Sequence, residues 1–222
     1  TVVERLDEKK ERAASRSHAN YAFYLGATNH NVEELKRLKP NDACGIKIFM
    51  GASTGDMLVD NHETLDGFFA NSPLLIVTHC EDTPMITINE NIAREKYGED
   101  VPFDLHPEIR SREACFKSSE LAVSLAKKHK ARLHVLHLTT SEEMVHFNND
   151  LPLEEKLITA EVCAHHLFFS RPDYAQKSSL IKCNPAIKEE SDRITLLEAV
   201  KSNLIDVIAT DHAPHTWEEK QG

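Results

Sequence analysis

Six short runs of apolar and β-branched residues recur along the chain, and helical patterns separate them. The runs predict strands at residues 20–25, 44–50, 74–79, 132–138, 157–162 and 205–211. The segments between them predict helices at residues 31–38, 61–70, 84–97, 111–129, 141–149 and 190–202, with Asn31, Ser111 and Ser141 as N-caps. Such alternation produces parallel βα units, in a doubly wound sheet or a (β/α)8 barrel. No glycine-rich nucleotide loop follows a strand, so the barrel is favoured.

Composition narrows the classes of partner. The 222 residues carry a formal net charge of −10, which argues against a nucleic-acid-binding surface. The longest apolar runs are too short to cross a bilayer, and no signal segment opens the chain, so a cytoplasmic protein is expected. The five cysteines show no CxxC spacing, which predicts reduced and mostly buried thiols.

A lysine interrupts the apolar strand at residues 44–50. Lys47 has three interpretations: it snorkels to water, it pairs with a buried carboxylate, or its amine does chemistry. Burial lowers the pKa of a lysine and exposes a nucleophilic neutral form, so the third interpretation needs other chemical groups nearby.

Three further strands carry an ionisable residue at or near their carboxyl ends: His79, His137 and Asp211. In a (β/α)8 barrel these ends meet at one mouth. Alternation predicts that His137 shares a strand face with Leu133 and Val135. The alternative interpretations are hydrogen-bonded core histidines and, for Asp211, a helix N-cap.

Together these residue types suit a metal centre. Histidine and aspartate are frequent zinc ligands, and a neutral lysine amine takes up carbon dioxide to form a carbamate that can bridge two metal ions. We expect the pair His165 and His166 to have a packing or supporting role, although a ligand role stays open. The remaining helical and loop histidines are predicted to lie on the surface: His18, His30, His62, His106, His129 and His146.

The ordered motifs "GIKIFMGASTG", "VTHCED", "HVLHLTT", "TAEVCAHHLFF", "KCNPAIK" and "IATDHAPHT" resemble those of the dihydroorotases of the amidohydrolase superfamily. The resemblance extends from about residue 43 to residue 216. It implies a TIM-type barrel of the metal-dependent hydrolase kind. It also implies reversible hydrolysis of dihydroorotate to N-carbamoyl-aspartate by a zinc-activated hydroxide, in pyrimidine biosynthesis.

The resemblance also assigns roles to single residues. Lys47 would be the carboxylated lysine that bridges two zinc ions, and His79 and His137 would bind one of them. Asp211 would bind the other and act as general acid and base. Asn184 and His215 would contact the substrate, against the alternatives of a turn residue before Pro185 and a surface loop histidine.

One part of the family pattern is missing. The family's first strand carries an H-x-H pair, and no such pair precedes Lys47. Residues 1–222 are therefore expected to be part of a single barrel domain, with about six βα units present and the flanking N- and C-terminal segments absent. Such a fragment is expected to be inactive alone.

Related activities remain as alternatives. Dihydropyrimidinase and allantoinase share the barrel, the lysine and the histidines, and a non-catalytic dihydroorotase-like scaffold would hold a partner instead. The partners expected are a small-molecule substrate, a second copy in a homodimer, and aspartate carbamoyltransferase.

Overall fold

Six parallel strands form one sheet in the order in which they occur along the chain. The structure is a computed structural model that describes residues 2–39, 41–51, 53 and 55–221. A doubly wound sheet reverses its strand order, whereas consecutive βα units of a barrel do not, so this order confirms the predicted barrel class. All six predicted strands are confirmed: β1 (Tyr24–Gly26), β2 (Gly45–Phe49), β3 (Ile76–His79), β4 (Leu133–Val135), β5 (Ile158–Cys163) and β6 (Val207–Ala209).

Helices separate the strands, as the sequence predicts. The predicted helices at 61–70, 84–97, 111–129 and 190–202 are confirmed as α2, α3, α5 and α8. The segments at 31–38 and 141–149 form short 3-10 helices, a geometry common in connectors of this length. The α-helices of the described residues are α1 (Val3–Ala14), α2 (His62–Asn71), α3 (Thr83–Tyr97), α4 (His106–Ile109), α5 (Arg112–His129), α6 (Ala164–Phe168), α7 (Tyr174–Lys177), α8 (Glu190–Lys201) and α9 (Trp217–Gln221). The 3-10 helices are η1 (Val32–Arg37), η2 (Gly55–Met57), η3 (Phe103–Leu105), η4 (Glu142–His146), η5 (Leu153–Glu155), η6 (Arg171–Asp173) and η7 (Ser178–Ile181).

Of the three predicted N-caps, Ser111 is confirmed, because its hydroxyl accepts the backbone N–H of Ala114 at the start of α5. Asn31 and Ser141 precede 3-10 helices and make no side-chain cap hydrogen bond. Instead, the Asn31 side chain accepts from the backbone of Thr28, which stabilises the turn after β1.

The two faces of the sheet differ in chemistry. The helix-facing side is the main core, in which Ile46, Ile76 and Leu133 are fully buried. On the opposite face, which we call the inner wall, strand register aligns Lys47 with Val77, His134 and Thr159. Apolar side chains thus cover the face under the helices, and Lys47, His134 and Thr159 bring polar groups to the inner wall.

The structure corrects the predicted orientation of His137. Leu133 and Val135 face the helices, whereas His134 lies on the inner wall. β4 ends at Val135, and His137 has a left-handed backbone with φ of 40°. The side chain therefore reaches the inner wall through a turn of the backbone and not through strand alternation.

The cysteines agree with the prediction of mostly buried thiols. All five cysteines are free thiols, and three of them, Cys80, Cys115 and Cys163, are buried, whereas Cys44 is exposed. No helix among the described residues has the length and apolar character needed to span a membrane.

Candidate metal centre at the carboxyl ends of the strands

Two buried histidines meet at the ends of β3 and β4. Nδ1 of His79 lies 3.0 Å from Nε2 of His137, and the rings meet edge to face with centroids 4.7 Å apart. Nitrogen ligands about 2.0–2.1 Å from a tetrahedral zinc lie roughly 3.3 Å from each other. We call His79 and His137 the histidine pair. The separation of their two facing nitrogens suits one shared metal ion.

The backbone after β4 fixes the position of His137. The backbone N–H of Leu136 donates to the carbonyl of Thr78, and that of Leu138 donates to the carbonyl of Glu161, so the turn stays attached to both neighbouring strands. Burial, with the charges of His79 and Lys47, holds the pKa of His137 well below its usual range. His137 is accordingly neutral, which is the form that binds metal.

Lys47 lies on the inner wall beside this pair. Burial lowers its pKa to about 8, although Asp211 and other nearby groups act in the opposite direction. Its Nζ lies 4.5 Å from the centre of the Phe49 ring, and no carboxylate among the described residues is paired with it. The interpretation as half of a buried ion pair is therefore wrong for the described residues, and a substantial neutral fraction of the amine is available near neutral pH.

Asp211 follows β6 and also has a left-handed backbone, with φ of 45°. It is exposed, and its charge is the largest of those that raise the pKa of Lys47. The alternative that Asp211 is a helix N-cap is wrong, because the next described helix begins at Trp217. Sparsely populated backbone conformations of this kind occur often at functional sites, and here both His137 and Asp211 have one.

A cavity of about 790 Å³ adjoins Asp211. Asn184 and His215 line it together with Asp211, so the two residues predicted to contact substrate share one space with the predicted acid and base. The Asn184 Oδ1 atom is buried and has no hydrogen-bond partner among the described residues. His215 is exposed, with Nδ1 3.5 Å from a carboxylate oxygen of Glu219.

Sequence reasoning missed a buried ion pair behind His79. The Glu81 carboxylate is fully buried, and its Oε2 lies 2.8 Å from Nε2 of His79 and 2.6 Å from Nη1 of Arg110. Burial raises the pKa of Glu81, but the hydrogen bond with His79 and the charges of His79 and Arg110 outweigh it, and the pKa is lowered. The signal was present in "HCED", since residues two apart in an extended segment lie on one side.

A second set of hydrogen-bonded polar side chains lies below His137 on the inner wall. His134 bonds the Thr159 hydroxyl through Nδ1 at 2.8 Å and the Glu161 carboxylate through Nε2 at 3.1 Å. The other oxygen of Glu161 accepts the backbone N–H of His137 at 3.3 Å. This chain of hydrogen bonds supports the turn that presents His137.

The remaining histidines divide into surface and interior residues. His166 is buried and donates from Nε2 to the carbonyl of Pro185 at 3.1 Å, which fits the predicted packing role. His165 and His166 also lie with Cys163 in a group whose ligand atoms are within 4.8 Å of one another. The prediction that His106 lies on the surface is wrong, because its Nε2 bonds the carbonyl of Cys183 and burial lowers its pKa to about 4.

The chain is similar in sequence to known cyclic-amide hydrolases. No family model matches the chain. The dihydroorotase of Pyrococcus furiosus is 34% identical over 209 residues, which cover 93% of this chain and 41% of that protein. The allantoinase of Streptomyces avermitilis is 28% identical over 99% of this chain and 49% of its own length. The chain thus spans less than half the length of these relatives.

Solved structures share the fold. The L-hydantoinase (dihydropyrimidinase) of Arthrobacter aurescens superposes with a TM-score of 0.89 at 23% identity, over the whole of this chain and 49% of that one. The fold is therefore that of the TIM-barrel amidohydrolases. Within that class, the sequence comparison confirms the resemblance to the dihydroorotases that the motifs predict.

Proposed function

We propose that this chain is part of a dihydroorotase, which opens the cyclic amide of dihydroorotate to form N-carbamoyl-aspartate in pyrimidine biosynthesis. The observation that carries the proposal is the histidine pair, with its 3.0 Å separation, beside a lysine whose pKa is lowered to about 8. These are the groups that a metal-dependent amide hydrolase requires, and they lie at the strand ends where barrel enzymes place their catalytic residues.

The described residues supply ligands for one zinc ion and part of the ligand set for a second, since no H-x-H pair precedes Lys47 in this sequence. His79 Nδ1 and His137 Nε2 would hold one zinc, Asp211 would bind a second, and carboxylated Lys47 would bridge them. Carboxylation requires the neutral amine: Nζ forms a bond to the carbon of carbon dioxide and loses one proton. When bound, the two ions supply a water acidic enough to react near neutral pH and polarise the ring carbonyl.

Asp211 moves the proton in this mechanism. Its carboxylate accepts a proton from the attacking water and delivers it to the ring nitrogen as the carbon–nitrogen bond breaks. Water thus adds its oxygen to the carbonyl carbon and its proton to nitrogen. Asn184 and His215 orient the substrate, and the unpartnered Asn184 Oδ1 is available to accept a ring N–H.

Two lysines of the cavity could recognise the carboxylate that distinguishes dihydroorotate from related substrates. Lys182 and Lys220 line the cavity, together with the carboxylates of Asp211 and Glu219. Dihydroorotate carries a ring carboxylate, which dihydropyrimidines lack. Charge-assisted hydrogen bonds to such a group are stronger than neutral ones, and this supports the dihydroorotase over the dihydropyrimidinase alternative.

Turnover assays of the full-length protein test the proposal. We expect hydrolysis of dihydroorotate, with a rate constant kcat/KM well above that for dihydrouracil or allantoin. His215→Asn should raise the KM for dihydroorotate by roughly 10-fold or more, since it removes a hydrogen bond to the ring carboxylate of the substrate. His62→Asn, an exposed histidine of α2, serves as control. Preference for another ring, or no turnover and no bound metal, would contradict the proposal and favour the alternatives.

The predicted assemblies and compartment are proposals of the same kind. The homodimer and its association with aspartate carbamoyltransferase remain predictions, and the cytoplasmic compartment remains a prediction from the short apolar runs and the lack of a signal segment. Light scattering of the full-length protein, alone and mixed with that enzyme, measures both associations.

A further inference from the structure

We propose that Glu81, held by Arg110, is a positioning residue that fixes the tautomer of His79, so that the Nδ1 lone pair faces Nε2 of His137. The inference rests on the proposed function, because the lone pair matters as a metal ligand. It adds two residues that the predicted ligand set does not include, of which Glu81 lies in the motif "VTHCED" and Arg110 outside the motifs.

The hydrogen bonds define where the His79 proton lies. One oxygen of Glu81 accepts hydrogen bonds from Arg110 Nη1 at 2.6 Å and from His79 Nε2 at 2.8 Å. A guanidinium can only donate, so it stabilises a carboxylate that accepts from both neighbours. The proton of a neutral His79 ring is therefore on Nε2, and Nδ1 carries the lone pair.

The backbone leaves Glu81 little freedom to move. A Cβ atom on Gly51, in the turn after β2, would lie 2.0 Å from the carbonyl oxygen of Glu81. The neighbouring amide of Asp82 donates to the carbonyl of Ala114 in α5 at 3.0 Å. Segments from two neighbouring βα units therefore hold the loop, and the orientation of the carboxylate is set before any ligand binds.

The two members of the histidine pair differ in this support. Nδ1 of His137 is buried and has no hydrogen-bond partner among the described residues, whereas Nε2 of His79 has the Glu81 carboxylate. The hydrogen bond between Glu81 and His79 therefore determines which ring nitrogens of the histidine pair carry protons. Partners of this kind orient ligand histidines, and their loss typically costs about 10- to 100-fold in metal affinity.

The first experiment compares two equal substitutions in the full-length protein. Glu81→Gln removes the negative acceptor and can place an amide N–H against Nε2 of His79. Glu143→Gln alters another carboxylate of the buried interior, whose oxygen accepts the Thr140 hydroxyl at 2.8 Å, and provides the matched control. Zinc affinity is measured by chelator competition, and the visible spectrum of the cobalt-substituted protein reports ligand geometry.

We expect Glu81→Gln to weaken zinc binding about 10- to 100-fold and to change the cobalt spectrum, with much of the turnover restored at saturating zinc. Glu143→Gln should leave zinc affinity within about twofold. Equal zinc affinities for Glu81→Gln and the wild type would overturn the proposal.

A second measurement needs neither the variant nor the metal. In the metal-free, full-length protein labelled with ¹⁵N-histidine, the His79 ring should show a protonated Nε2 and a bare Nδ1. A proton on Nδ1 would overturn the proposal even if Glu81→Gln fails to fold. If His79→Ala loses no more zinc than His62→Ala, the metal centre of the proposed function is wrong, and the ¹⁵N shifts still decide the role of Glu81.

Discussion

The histidine pair and the β6 loop, which we define as residues 210–216, lie at the same edge of the sheet and differ in nearly every physical respect. His79 and His137 are 4% and 3% exposed and have fixed neighbours. Asp211 and His215 are exposed and face a cavity of about 790 Å³. Within the described residues, the histidine pair thus lies among the interior strands of the sheet, whereas the β6 loop follows the last described strand.

Local packing produces this difference. Behind the histidine pair, Glu81 and Arg110 satisfy the buried polar atom of His79, and β3 pairs with strands on both of its sides. β6 pairs with β5 alone among the described strands, and Val207 and Ile208 are exposed in it. Nε2 of His79 and Oε2 of Glu81 are desolvated at low cost because they are paired, whereas the exposed polar groups of the β6 loop are open to solvent.

The substitution with the largest expected effect is Lys47→Ala, which lies between the two regions. Loss of the bridging carbamate should remove metal and lower turnover by about 10⁴-fold or more, since metal ions supply several kcal/mol of stabilisation. Short carboxylic acids at high concentration should restore part of both, because they can fill the vacated site. Metal content and turnover are the measurements.

Its control removes another buried lysine. Lys156→Ala breaks the ion pair with Asp206, at 2.6 Å, and should destabilise the protein by about 3–5 kcal/mol while metal content per folded molecule is retained. Full metal content and rate in Lys47→Ala would show that the bridging role is wrong.

Asp211→Asn tests the accessible region. The substitution keeps the shape and removes the base, so kcat should fall roughly 10²- to 10⁴-fold while the histidine pair still binds its metal. Steady-state kinetics with parallel metal analysis measure both. Asp60→Asn changes an exposed carboxylate that bonds Asn29 and should leave kcat unchanged. A kcat for Asp211→Asn within a few-fold of the wild type, with metal bound, would rule out the proton transfer.

His106 bonds to a residue of the cavity wall and should make the free energy of unfolding depend on pH in the acid range. It donates to the carbonyl of Cys183, next to Asn184, and its pKa in the folded protein is about 4 instead of about 6.5, because of burial and nearby cationic side chains. Between these values the unfolded chain binds more protons, so stability should fall as pH falls from 6.5 to 4, by roughly 3 kcal/mol.

Urea unfolding from pH 4 to 7 measures this dependence. His106→Phe keeps an aromatic ring against Phe103 and removes the titrating group. The difference in unfolding free energy between wild type and variant should shrink as pH falls through this window. A difference that is independent of pH would contradict the assignment.

The smallest effect is expected at the start of α5, beside Arg110. Ser111→Ala removes the cap to the Ala114 N–H and should lower stability by about 1 kcal/mol without changing zinc affinity. Ser124→Ala, on the exposed side of the same helix, should change stability by less than about 0.5 kcal/mol. A large loss of zinc affinity in Ser111→Ala would mean that the helix end, and not the Glu81 carboxylate, positions His79.

The sequence by itself determined the parts of this protein that depend on neighbouring residues. Short runs of apolar and β-branched residues predicted all six strands, and the serine before an apolar helical stretch predicted the cap of α5, because both depend on neighbouring residues. The position of Lys47 within its strand was predictable for the same reason, as were those of His79, His137 and Asp211 near strand ends.

Only the tertiary structure decided how those residues meet. The turn that brings His137 to the inner wall depends on a left-handed backbone held by hydrogen bonds from two other strands, which strand period cannot predict. The pairing of Glu81 with Arg110 joins residues 29 positions apart, which no local pattern predicts. Desolvation also sets the lowered pKa of Lys47 and His106, and desolvation is a property of the whole packed molecule that no local pattern encodes.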